Sequence, residues 1–284
     1  MKIKFFTQIL FTLLIFSSTL WAKQNDNFRL VQRKSFIIVT MPGNTELKMR
    51  LIPSGSFIMG TPKGRLVKIY DETEHRVKIT KDFWMGQFEV TQKQFESVMG
   101  YNPSFFKSDG NLPVENISWK EAMKFCGELN KKLRNQLPPN YYFALPSEAQ
   151  WEYACKAGKN SDFNNGKNLS DKQNCKGSDP ISWNKLNSNG KTHIVGQKKA
   201  NSWGLYDMHG NVWEMCLDWY GKYEGKKNDP TGPKQGSKKV VRGGSFNNIP
   251  RYGRSSDRHL ESPDSKMNSL GFRIVLTCTP QITK

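Results

Sequence analysis

Cysteine and histidine are scarce in this 284-residue sequence and poorly placed for shared chemistry. The five cysteines, Cys126, Cys155, Cys175, Cys216 and Cys278, are widely spaced with no Cys-X-X-Cys pair, which argues against a zinc cluster and a thioredoxin-like redox site. Their odd number leaves at least one thiol unpaired in a monomer. The four histidines, His75, His193, His209 and His259, are scattered, none paired with another at ligand spacing, so none is assigned a catalytic role. There is no internal repeat, low-complexity tract or break in composition, so the folded part reads as one unit. Acidic residues are outnumbered, 25 against 43 Lys and Arg, for a formal net charge of +18.

The N-terminus carries the longest apolar run. Lys2 and Lys4 precede an apolar stretch from Phe5 to Phe16, followed by Ser17, Ser18, Thr19 and Ala22, the layout of a secretory signal peptide over residues 1–22. Thr7 and Gln8 interrupt that stretch, which is short for a membrane span, and no cysteine follows it to carry a lipid. The expectation is a periplasmic or secreted protein without a transmembrane segment once the signal is removed. It would have a lead-in at 23–34, one domain at 35–278 and a short tail at 279–284. About 260 residues remain, enough for a substantial core, and a net charge of +16 after loss of Lys2 and Lys4. A charge of that sign attracts polyanions. Between Lys222 and Arg258 ten basic residues stand against three acids. Export and the lack of a recognisable binding motif disfavour nucleic acid.

Three capping boxes mark helix starts: Thr91 in TQKQ, Ser118 in SWKE and Ser147 in SEAQ. After Ser118, the residues Trp119, Ala122, Met123, Phe125, Cys126, Leu129 and Leu133 recur at helical spacing. Gly100 and Gly158 are stops for the first and third helices. Strands are expected at 36–40, 47–52, 56–59, 77–83, 88–90, 240–241 and 272–277, with 47–52 meeting 56–59 across Pro53-Ser54-Gly55. Residues 160–201, rich in Asn, Gly, Ser and Lys, predict long loops. The sum is a mixed α+β domain, in which most of the eight tryptophans anchor the core or the turns.

Seven blocks then stand in order: IPSGSFIMGTP, FEVTQKQF, PVENISWKEAMKFC, LPSEAQWEYACKAG, NSWGLYDMHGNVWEMCLDWY, VVRGGSF and SLGFRIV. Together they resemble the formylglycine-generating enzyme, or sulfatase-modifying factor, family. The resemblance runs from about Ser35 to Thr277 and implies a loop-rich elaboration of the C-type-lectin fold. In YDMHGNVWE, two carboxylates and freed carbonyls in a tight loop match the needs of a hard cation. The resemblance implies calcium at Asp207, Gly210, Val212 and Glu214, the middle two through backbone carbonyls. The alternative is that both acids bond to loop amides or pair with arginine. The family's other calcium site, at ISWNKLNSNGKTH, has no matching ligands here.

Active family members carry two cysteines shortly after the RGGS glycines, where soft thiolates hold Cu(I). No cysteine lies between Arg242 and Arg273, and Asn248 falls at the first of the two positions. An amide is no soft donor, so copper-dependent thiol oxidation is not expected there. The resemblance leaves a candidate pocket of Trp213, Ser245, Asn248, Arg254 and Arg258. Aromatic and arginine walls there would suit a peptide, a protein segment or an anionic glycan. Arg242, Asp257 and Arg273 read equally well as buried pairs. Two functions stay open: a noncatalytic binding or scaffolding module, and a metal-dependent oxidoreductase acting on a peptide thiol through a non-standard site.

Overall fold

The computed structural model describes residues 28–67, 72–223, 225 and 228–278. The signal peptide and the C-terminal tail expected from the sequence lie outside them. In chain order the strands are β1 (Arg29–Gln32), β2 (Phe36–Met41), β3 (Thr45–Ile52), β4 (Gly55–Met59), β5 (His75–Ile79), β6 (Phe83–Gly86), β7 (Tyr142–Ala144), β8 (Ser182–Trp183), β9 (His209–Gly210), β10 (Trp213–Trp219), β11 (Lys239–Arg242), β12 (His259–Glu261), β13 (Leu270–Gly271) and β14 (Val275–Thr277). The helices are α1 (Gln92–Met99), α2 (Trp119–Leu133) and α3 (Glu148–Lys156).

One sheet has the antiparallel order β1-β2-β3-β6-β14-β7, and a second has the order β12-β11-β10-β13 with only β10 and β13 parallel. Few helices, short strands and much ordered loop make the α+β domain that the sequence predicts. All three helices start with reciprocal capping boxes, at Thr91, Ser118 and Ser147. Helix α1 ends on left-handed Gly100, and α3 on left-handed Ala157 followed by Gly158.

Helix α2 lays Ala122, Phe125, Cys126, Leu129 and Leu133 into the main core. There Phe125 stacks on Phe95 at 5.8 Å and meets Phe272 edge-on at 5.4 Å. The same helix touches both ends of the long sheet. Asn130 donates to Phe143 O at 2.8 Å and accepts from Phe143 N at 2.7 Å, on β7. Gln136, just past the helix, donates to Phe28 O at 3.0 Å and accepts from Leu30 N at 2.8 Å, on β1.

Several expectations need correction. The expected hairpin of β3 with β4 does not form: β3 pairs with β2 and β6, while β4 pairs with β5 in a small sheet of its own. The register of β3, with buried residues meeting both neighbours, is satisfied without β4. The strand expected at 77–83 is two strands separated by a turn, and residues 88–90 are irregular. The sheet begins at Arg29, where β1 pairs with β2 along its whole length.

Candidate functional site

Strand β11 is followed by Gly243 and Gly244, both in the left-handed region at φ 95° and 75°. A Cβ on Gly244 would sit 3.1 Å from the Tyr252 carbonyl, so the close return of the chain demands glycine there. The next four residues form a closed turn. Ser245 Oγ donates to Asn248 Oδ1 at 2.5 Å and Asn248 N donates to Ser245 O at 3.0 Å. Phe246 N donates to Asn211 O, tying the turn to the segment that runs into Trp213. Trp213 is buried and stacks on His259 at 5.2 Å.

Two exposed apolar side chains flank this turn, and no motif singles them out. Phe246 meets Phe106 edge-on at 5.5 Å, and Phe106 meets Phe105, which is 69% exposed. On the other side Lys185 N donates to Asn248 O, and the next residue, Leu186, is 60% exposed.

Arg254 and Arg258 do not supply a basic wall to the turn, because both are buried against carboxylates. Arg254 bonds Glu72 at 2.9 Å and Asp257 at 3.0 Å. Arg258 bonds Glu148 at 2.6 Å and packs 4.1 Å over the Tyr223 ring, where it lines a different cleft with His75 and Asp218. Arg242 bonds Glu152 and the carbonyls of Ser255, Ser256 and Asp257. A guanidinium taken out of water must be matched by charge and hydrogen bonds, and Glu148 and Glu152, one turn apart on α3, provide them. Those acids were visible in the sequence. Their partners, 90 and 110 residues away, were not.

The calcium-type loop is compact. Asp207 and Gly210 adopt left-handed backbone, and a Cβ on Gly210 would strike the Trp183 carbonyl. Glu214 is fully engaged: Arg273 Nε and Nη2 reach it at 2.7 and 2.6 Å and Trp151 Nε1 at 2.7 Å. Val212 N donates to Glu89, a buried acid that the sequence reading missed. Burial foremost, then the charges of Asp207 and Glu214, push the Glu89 carboxyl well above its usual range. Burial also raises Asp207 to about 6. Asp207 Oδ2 accepts from Gly196 N at 2.6 Å, while its Oδ1 is buried without a partner. In this set Asp207 Oδ1 is therefore the unspent carboxylate oxygen. Among the described residues no group of three or more His, Cys, Asp and Glu side chains is arranged to hold a metal.

One thiol does approach the loop after the turn. Cys155 Sγ lies 3.6 Å from Ser255 Oγ and 3.8 Å from His209 Nε2. It is fully buried, and burial pushes it up to about 12, so it stays a protonated thiol. His209 accepts from Asn164 N through Nε2 and bonds Gly253 O through Nδ1, which fixes a neutral ring; burial holds it down to about 4. Cys216 is buried as well, and Cys278 lines a separate cleft with Ile79 and Tyr142. All five cysteines are free thiols.

Comparison with known proteins accords with this geometry. The chaperone protein LppX of Paenibacillus barcinonensis is 34% identical over 188 residues, covering 52% of this chain and 66% of that protein. The formylglycine-generating enzyme of Mus musculus is 33% identical over 175 residues, covering 57% of this chain and 44% of that enzyme. The chain thus spans less than two thirds of the length of either relative. Among solved structures, Treponema denticola variable protein 1 superposes with a TM-score of 0.72 at 28% identity, covering 88% of this chain and 98% of that one. The fold is the lectin-like one that the sequence motifs implied. A family model described as the sulfatase-modifying factor enzyme 1-like domain matches residues 37–278, and the chain belongs to that family.

Proposed function

We propose that this protein is an exported, noncatalytic binding or scaffolding module of the cell envelope that receives a peptide, protein segment or anionic glycan at the Ser245–Asn248 turn. The observation that carries this reading is Asn248 itself. Where a soft thiolate would be needed, an amide is bonded to Ser245, in a segment without cysteine from Arg242 to Arg273. Asn and Ser offer hydrogen bonds and no redox chemistry. Exposed Phe105 and Leu186 add apolar area on either side of the turn, and the basic surface favours anionic ligands. The 34% identity to a protein named a chaperone supports binding as the work of this domain.

The test is incubation with a cysteine-containing sulfatase-type peptide under oxygen and copper, read by mass spectrometry. The expected result is peptide retained with its thiol intact, and repeated conversion of the thiol to an aldehyde would overturn it. Calcium belongs to the same proposal. Asp207 Oδ1 gives the ion one buried, unpartnered ligand, with Glu214 shared with Arg273. Calcium should raise the melting temperature, as any ligand selective for the folded state does. An Asp207→Ala variant that responds like the parent removes the site.

A further inference from the structure

Asp218, near the end of β10, is a buried acid without a cation of its own. It is 3% exposed and makes no ion pair among the described residues. Its Oδ2 accepts from Glu148 N at 2.9 Å, at the start of α3, and its Oδ1 has no hydrogen-bond partner among the described residues. The neighbouring cations are spent elsewhere. Arg258 is held by Glu148, and Lys239 donates to Leu217 O at 2.9 Å from between the rings of Trp119 and Trp219. Burial foremost, then the charge of Glu148, pushes the Asp218 carboxyl up to about 7, against the pull of the Glu148 amide, Arg258 and Lys239.

Asp218 lines a narrow cleft, open to solvent and about 450 Å³ with its mouth. Gly232 lines it too, and a Cβ there would stand 3.4 Å from Asp218 Oδ1. Met59, Ala149, Pro230 and Pro233 give the cleft apolar wall. Tyr223 adds a ring packed on His75 at 4.4 Å and a buried hydroxyl without a partner. His75 spends Nδ1 on Thr73 O at 2.8 Å, which leaves Nε2 as its unused nitrogen. No residue of the Ser245–Asn248 turn, and neither Phe105 nor Leu186, lines this cleft.

We infer that this cleft is a second binding site, and that it takes a primary ammonium on an unbranched apolar stem, the chemistry of a lysine side chain or a free alkylamine. A buried carboxylate with one unspent oxygen calls for a positively charged donor. An ammonium is a compact point charge with three rotatable donors, so it can serve Oδ1 and lie against the Tyr223 ring at once. A guanidinium uses its fork best on two acceptors side by side, and Oδ2 is already taken by the Glu148 amide. A divalent ion needs more oxygens than remain: both Glu148 oxygens are held by Arg258, and among the described residues no three His, Cys, Asp or Glu side chains converge on a metal position. The apolar walls suit the methylenes of the stem.

The experiment titrates the full chain with Nα-acetyl-lysine methylamide and with pentylamine, read by ligand-observed NMR at about 0.15 M salt, where a Debye length of about 8 Å screens the basic surface. The norleucine and arginine methylamides are the controls. At about pH 8 the lysine amide should bind at least about tenfold more tightly than either control. Tighter binding of the lysine amide than of pentylamine assigns the site to a peptide lysine, and the reverse order to a free amine. Asp218→Asn keeps the shape and an acceptor for the Glu148 amide, and should abolish the preference over norleucine. If that variant does not fold, the parent decides through pH. The groups around Asp218 are Glu148, Arg258 and Lys239, and the cleft adds His75, Lys222 and Tyr223. As Asp218 takes up its proton between about pH 8 and about pH 5.5, affinity for the lysine amide should fall at least about tenfold while that for norleucine holds. The fall should persist in His75→Gln. Equal binding of the lysine and norleucine amides at pH 8 overturns the inference, and so does a preference that survives in folded Asp218→Asn or a fall that vanishes in His75→Gln.

Discussion

Two halves of this domain are buried by different mixtures of chemistry. The half built on α2 and the six-stranded sheet closes over aromatic and aliphatic side chains, with Phe95, Phe125 and Phe272 in mutual contact. The half around α3, β11 and the loop that follows has an apolar cluster of its own, with Phe83, Trp151 and Val240, and adds to it a set of buried arginines. Arg242, Arg254, Arg258 and Arg273 are among the largest fully buried side chains of the protein, each matched to a carboxylate. An apolar core loses stability roughly in proportion to the volume removed, whereas a buried ion pair fails abruptly when one partner goes. The loop-rich half can thus hold long irregular segments in place, but it tolerates little change at a few positions.

The largest expected effect tests that contrast directly. Arg242→Ala takes the guanidinium from Glu152, leaving it Lys156 and the Gly60 amide, and leaves three loop carbonyls without their donor; it should cost about 4–5 kcal/mol in chemical denaturation. Phe125→Ala, in the other half, should cost about 3–4 kcal/mol. If Arg242→Ala proves the milder of the two, the contrast is wrong.

Glu115 sharpens the comparison, since it is a buried acid without a cation bonded to it. Its Oε1 accepts from Phe106 N at 2.8 Å and its Oε2 has no partner. Burial pushes it up to about 7, against the pull of two backbone amides and Lys107. The folded protein keeps this proton until about pH 7, while the unfolded chain releases it near 4.5. Its contribution is therefore fully present below pH 4.5 and is lost as pH rises from 4.5 to 7. Relative to the parent, Glu115→Gln should gain about 2 kcal/mol between pH 5 and pH 8, and a difference independent of pH would refute the assignment. The smallest effect, about 1 kcal/mol, is expected for Asn130→Ala, which removes two bonds to β7 from the apolar half.

The apolar half was also the legible half. The capping residues Thr91, Ser118 and Ser147 and the spacing of Phe125, Leu129 and Leu133 are local signals, and the helices follow them. Strand β10 gave no such signal. It is covered on both faces, so five of its seven residues, WEMCLDW, are buried and no alternation appears. At the candidate site Ser245 and Asn248 could be placed by motif, and the missing thiol by inspection. The engagement of Arg254, Arg258 and Glu214 could not, because each depends on a partner at least 59 residues away or on a loop whose course no periodicity reveals. Exposed Phe105 and Leu186 flank the turn only because the chain brings residues 106, 185 and 246–248 together.

The amide side chains of Asn130 and Gln136 have a consequence for recognition. They occupy backbone groups on β1 and β7, the two outermost strands of the long sheet. A partner that binds by adding a strand needs a free row of such groups. At these positions the groups are taken, so a strand added to either margin of the long sheet would first have to displace an amide side chain. The helix and the turn just past it thus act as a selvedge, binding off part of each margin of the long sheet.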